Sequence, residues 1–97
     1  MTAHLSNLAY MDLENIWDFI ASDSVEKANT YVMQLQDRIN NLSEQPFLGK
    51  KRDELHIGLF SFPLDNYIIF YEIESEKQIY IVRIIHSARD IPTILLH

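Results

Sequence analysis

Several groups of residues in this chain have side chains suited to chemistry or recognition. The run Lys50-Lys51-Arg52-Asp53-Glu54-Leu55-His56 is the densest charge cluster. Arg52 within it is a candidate anchor for a phosphate or an acid, because a guanidinium holds either through two parallel hydrogen bonds. The same run also reads as a solvated connector in which Asp53 and Glu54 offset part of the positive charge. Arg83 stands in the middle of an apolar stretch. A buried arginine is costly unless paired, so it either reaches an open face and contacts a target, or meets a carboxylate such as Glu72. His86 and Arg89 close that stretch within His86-Ser87-Ala88-Arg89-Asp90. Together they suit phosphate binding, or the pairing of an acid with an electrostatic stabiliser; Asp90 equally allows a quiet local pair with Arg89. Phe60 and Phe62 flank Ser61 and share one face of a strand. They are core if that face is covered and a partner-binding patch if it is not. The tail Ile91-Pro92-Thr93-Ile94-Leu95-Leu96-His97 poses the same question, since apolar residues at a terminus fray unless covered.

The usual catalytic signatures are missing from the 97 residues. Two glycines cannot build a phosphate-cradling loop, and His4, His56, His86 and His97 include no pair at zinc-binding spacing. With no cysteine there is no disulfide framework and no thiolate metal site, which fits a reducing cytoplasm. No cofactor or metal is expected. No stretch approaches the ~18 apolar residues of a membrane span, and Met1–Asn7 has no leader pattern, so a soluble chain is expected.

The net charge of −6 argues against a protein whose affinity comes from phosphates. The charge is uneven: seven acids and two bases lie before Pro46, and the other six bases beyond it. Such a distribution suits a basic or amphipathic protein partner.

These residues must be positioned by a small set of elements. Ala3–Ser6 reads as a short edge strand, with Ser6 or Asn7 capping a helix. Ala9, Leu13, Ile16, Trp17 and Ile20 form its apolar face and turn Asp12, Asn15 and Asp18 to water. Asp23 and Glu26 resemble a capping box opening a second helix, with Ala28, Tyr31, Val32, Leu35, Ile39 and Leu42 on one stripe and Pro46 ending it. The short link makes an αα-hairpin. Strands are predicted over His56–Phe62, Tyr67–Ile73 and Gln78–Ile85, joined by short turns into an antiparallel meander. The last alternates Ile79, Ile81, Arg83 and Ile85 against Tyr80, Val82, Ile84 and His86. The expectation is one α+β domain over 1–97, βααβββ, with a helical hairpin packed on a small antiparallel sheet.

At these residues the chain resembles the ParE-type toxins of the RelE/ParE toxin–antitoxin superfamily, nearly end to end. Asp12-Leu13-Glu14-Asn15-Ile16-Trp17-Asp18-Phe19-Ile20-Ala21 is similar to that family's DLxxIWxYIA stretch. Pro46-Phe47-Leu48-Gly49 with Arg52-Asp53-Glu54-Leu55 is similar to its P-x-x-G…RDEL segment. Gly58-Leu59 followed by Tyr67-Ile68-Ile69-Phe70-Tyr71 is similar to GL…YLIFY. Val82 to Asp90 resembles VRVLHGARD. The resemblance implies the fold derived above and a cytoplasmic toxin, of a kind tied to plasmid stabilisation. It also implies a ParD-like antitoxin partner, with operator DNA met only through that antitoxin. ParE-like members inhibit DNA gyrase by binding; RelE-like members are ribosome-dependent endoribonucleases. For a nuclease the candidate set is Arg52, Arg83, His86 and Arg89, with no catalytic residue assigned otherwise. For target or antitoxin binding it is Arg52, Phe60, Phe62, Arg83, His86 and Arg89. Nuclease members commonly carry an arginine where this chain has Ile68, and they are basic, which favours the gyrase reading. ParE-like chains often have an arginine where this one has Phe60, so a non-toxic antitoxin-binding, operon-regulating module is a further alternative.

Overall fold

The computed structural model describes residues 2–75 and 78–95. β1, Thr2–Leu5, leads into helix α1, Asn7–Ala21, and α2, Val25–Glu44, follows. A 3-10 turn over Pro46–Leu48 precedes β2, Lys50–Lys51; then come β3, Leu59–Leu64, β4, Tyr67–Ser75, β5, Gln78–His86, and a short helix α3, Ile91–Leu95.

Local chemistry explains most of the boundaries. Ser6 Oγ accepts from Ala9 N and donates to the Val82 carbonyl, so one hydroxyl caps α1 and ties it to the sheet. The cap of α2 is Ser24, which accepts from Lys27 N, and not Asp23 as the capping-box spacing suggested. Asp23 instead points to Lys27 across 3.7 Å. The three-residue link folds the helices into a hairpin, crosslinked where Trp17 Nε1 donates to Asn29 Oδ1.

The sheet has the order β1-β5-β4-β3-β2. β3, β4 and β5 form the expected meander, while β1 pairs parallel with β5 and β2 adds a two-residue edge beside β3. β3 begins at Leu59, later than the apolar pattern implies. Gly58 takes a left-handed φ of 86° and donates to Asp53 Oδ1, holding residues 52–58 as a loop.

Both faces of the sheet are covered. The hairpin packs Ala9, Ile16, Leu35, Ile39 and Leu42 onto Phe60, Ile69, Tyr71, Ile79, Ile81 and Ile84. On the other face Leu59, Phe70 and Ile85 are covered by Leu55 from the loop and by Ile91, Ile94 and Leu95 of α3. Over this stretch the tail is helical, and at the start of α3 Asp90 accepts from Ile94 N through its carbonyl and from Thr93 Oγ1 through its carboxylate. Leu96 and His97 lie outside the described residues.

The strict alternation predicted for β5 is broken. Phe70 pairs with Arg83 but Tyr71 pairs with Ile81, which leaves Val82 as an extra residue. This bulge exchanges the faces: Ile79 and Ile81 meet the hairpin before it, and Ile84 does so after it.

The 3-10 turn is pinned from beneath. Tyr71 Oη donates to the Pro46 carbonyl at 2.7 Å and accepts from Gly49 N at 3.0 Å. Its ring stacks on Phe60, with centroids 5.5 Å apart. Burial pushes the Tyr71 phenol up, partly offset by the Gly49 N–H. Among the described residues no helix is long and apolar enough to cross a membrane.

Candidate functional site

Two adjoining clefts lie where β5 ends beside α1 and the β3–β4 turn. The smaller, about 160 Å³, is lined by Asp12, Asn15, Tyr67, Arg83, His86 and Arg89, among others. The larger, about 510 Å³, is lined by Phe19, Ile20, Tyr31, Asp65, Asn66, Tyr67 and His86. Tyr67 and His86 are cross-strand partners and form the wall that both share, with ring centroids 5.2 Å apart, edge to face.

Arg83, His86 and Arg89 line the smaller cleft together, but with different freedoms. Arg83 is held by Asp12, through Nε to Oδ2 at 2.8 Å and Nη2 to Oδ1 at 2.9 Å. Ile84 N donates to the same carboxylate at 2.9 Å. Both side chains are mostly buried, and these bonds raise the Arg83 guanidinium above its ordinary value. Arg83 meets a carboxylate, as one reading required, yet the partner is Asp12 and not Glu72. The expectation that Asp12 faces water is thus corrected. Its position carried the signal: Asp12 falls three residues after Ala9 and four before Ile16, the two buried residues of α1.

His86 is exposed, and its Nδ1 accepts from Ala88 N at 3.1 Å. That bond keeps the proton of a neutral ring on Nε2. Further backbone bonds, Ser87 N to Asn66 O and Arg89 N to His86 O, set the turn that presents the exposed Arg89.

Arg52 stands apart from this group. Its Nε donates to Glu54 at 2.8 Å and its Nη1 to Ser61 Oγ at 3.2 Å, while its backbone joins β3 through Leu59 O. The Arg52 hydrogen bond holds the Glu54 carboxyl below its usual range. The charge cluster is chiefly the hydrogen-bonded framework of its own loop.

Phe60 and Phe62 do share a face, and it is the covered one. Phe60 is 7% exposed in the hairpin-side core, and Phe62 is half-buried with the Arg38 guanidinium 5.1 Å over its ring. The exposed apolar side chains lie elsewhere. Leu8, Met11 and Phe19 of α1 are 46%, 55% and 74% exposed, and Asn15 stands between the last two. Their spacing of three and eight residues is itself helical. It was legible but overshadowed by the stronger stripe beside it. Among the described residues no group of three or more His, Asp or Glu could hold a metal ion.

A family model described as the ParE toxin of type II toxin–antitoxin systems, parDE, matches residues 4–91. The chain belongs to the ParE toxin family. Toxin ParE1 of Mycobacterium tuberculosis is 31% identical over 88 residues, 90% of each chain. Toxin ParE1 of Caulobacter vibrioides is 28% identical over 85 residues, 87% of this chain and 86% of that one. Among solved structures, a chain of the chromosomal ParDE system of P. aeruginosa superimposes with a TM-score of 0.73 at 22% identity, covering 89% and 95% of the two chains. A chain of the M. tuberculosis RelBE2 toxin–antitoxin complex gives 0.55 at 27% identity, covering 88% and 95%. The α+β fold derived from the residues is the fold of these ParE and RelE relatives.

Within this ParE framework the larger cleft has one titrating group of note. Burial pushes the Tyr31 phenol from 10.0 up to about 12, with the charges of Asp65 and Tyr67 adding to it. An unfolded chain loses this proton first, so stability falls as pH rises from about 10 toward about 12. Tyr31→Phe should lessen that loss, checked by urea denaturation at about pH 9 and about pH 11.5.

Proposed function

We propose that this ParE-family chain acts by binding DNA gyrase and blocking replication, and that a ParD-like antitoxin neutralises it. The observation that carries the choice of binding over cleavage is the Asp12–Arg83 pair. Phosphodiester cleavage on this scaffold needs cationic groups converging on the developing phosphorane charge. Here the charge of Arg83 is matched by a carboxylate, and Arg52 is committed to its own loop. His86 and Arg89 remain, which suits recognition of a carboxylate or phosphate. The exposed stripe Leu8–Met11–Phe19 suits the apolar face of an antitoxin segment laid against α1. The ParE1 relatives and the ParDE neighbour support this reading.

The test is a supercoiling assay with purified chain, gyrase and relaxed plasmid. Supercoiling should fail as toxin is added and return on adding a ParD-like antitoxin that binds the chain. Unaffected supercoiling at toxin concentrations that saturate the antitoxin would refute the gyrase target. The grouping of Tyr67, His86 and Arg89 keeps a ribosome-dependent nuclease as the second reading. It predicts transcript cleavage on translating ribosomes that His86→Ala with Arg89→Ala abolishes.

A further inference from the structure

The cleft of about 510 Å³ has a lining whose chemistry goes beyond that of an apolar docking face. Phe19, Tyr31 and Tyr67 bring three aromatic rings to it, and Asp65 brings a carboxylate. The Tyr31 and Tyr67 rings are 5.9 Å apart and tilted by 52°, so they make a corner and not a stack. The Tyr31 hydroxyl donates to the Leu64 carbonyl, which fixes that ring against the β3–β4 turn. Asp65 sits in this turn at a left-handed φ of 54°, exposed beside the rings. Its charge is felt inside the cleft, where it adds to the rise of the Tyr31 phenol. Phe19 is 74% exposed, so its ring is accessible to a partner's side chain.

Aromatic rings grouped with a carboxylate around one cleft attract a cation, because π-faces carry negative charge and the carboxylate adds its own. His86 is the single basic side chain among the residues lining the cleft. Arginine fits this arrangement better than lysine. Its flat guanidinium lies against a ring while its fork meets a carboxylate, whereas an ammonium is compact and holds its water more tightly. A volume of about 510 Å³ accommodates that side chain with part of the backbone presenting it. The charge of −6 on the whole chain acts in the same direction.

We propose that the Phe19–Tyr31–Tyr67–Asp65 cleft is a receptor for an arginine side chain presented by a protein partner. The assignment holds whichever protein supplies that arginine, and it does not depend on gyrase being the target.

The experiment compares N-acetyl-arginine methylamide with its citrulline counterpart, a neutral near-isostere, by NMR titration of the folded chain. The arginine compound should shift the ring signals of Phe19, Tyr31 and Tyr67 saturably, and the citrulline compound should bind about tenfold more weakly or not at all. Asp65→Asn keeps a residue that tolerates the left-handed turn and should weaken arginine binding about three- to tenfold. Phe19→Ser removes a ring already in water, so the hairpin is retained, and should weaken binding by a similar factor. Equal binding of both compounds, no saturable shift, or full affinity in both variants would overturn the assignment.

Discussion

Replacing Asp12 with alanine should lower stability by about 2–4 kcal/mol, among the largest effects of any single substitution here. Asp12 serves two acceptor roles at once, for the Arg83 guanidinium and for Ile84 N. Its removal leaves a mostly buried cation and a backbone N–H without their partner. The cost is placed below that of a fully buried pair because Arg83 keeps 19% of its side-chain surface in water. In a chain of this size the melting temperature should drop by about 10–25 °C. Chemical denaturation would give the free energy directly. A double change, Asp12→Leu with Arg83→Met, should cost less than Asp12→Ala alone, because no charge is then stranded. If the single change is harmless, the pair is a surface contact and its part in the binding reading falls with it.

Gly49→Ala should cost about 2–3 kcal/mol, through crowding and not through backbone strain. The φ of Gly49 is −75°, open to any residue. Space decides the matter: an added Cβ would meet Tyr71 Oη and lie 2.8 Å from the Ser61 carbonyl oxygen. The tyrosine cannot retreat, because its hydroxyl bridges Pro46 O and Gly49 N and its ring stacks on Phe60. Tyr71→Phe strips the partner from both backbone groups and should cost about 1–3 kcal/mol by itself. In that background the further cost of Gly49→Ala should shrink, since the oxygen it meets is gone. A double-mutant cycle by denaturation measures the coupling; full additivity would mean that the two residues do not collide.

The two predictions concern positions that the sequence marks unequally. The proline–glycine spacing over Pro46–Gly49 is visible, but nothing local says that the glycine makes room for a tyrosine 22 residues later. Arg83 is visible as a cation in need of a partner, yet its carboxylate lies 71 residues away on another element. Glu72, on the neighbouring strand, was the natural guess. It instead faces His56, with His56 Nδ1 3.8 Å from Glu72 Oε2.

What the sequence by itself determined is whatever short-range physics controls. The apolar stripes at helical spacing, the Ser6 cap, the proline stop, the β-rich runs and their turns all read correctly to within a few residues. The four motifs in order carried the resemblance to the ParE family, whose model matches residues 4–91. Tertiary structure decided the rest. The Val82 bulge reversed which side chains of β5 face the hairpin, and no alternation pattern can announce its own break. α3 became ordered because the apolar face of Leu59, Phe70 and Ile85 was there to receive it, not because five residues make a stable helix. Phe60 became core, with Phe62 half-buried against it, once the hairpin chose that face. Asp12 was removed from water and Arg83 from the pool of free cations by one bond between distant segments. Such pairings depend on where separate elements meet, which is a property of the packed chain and not of any window within it.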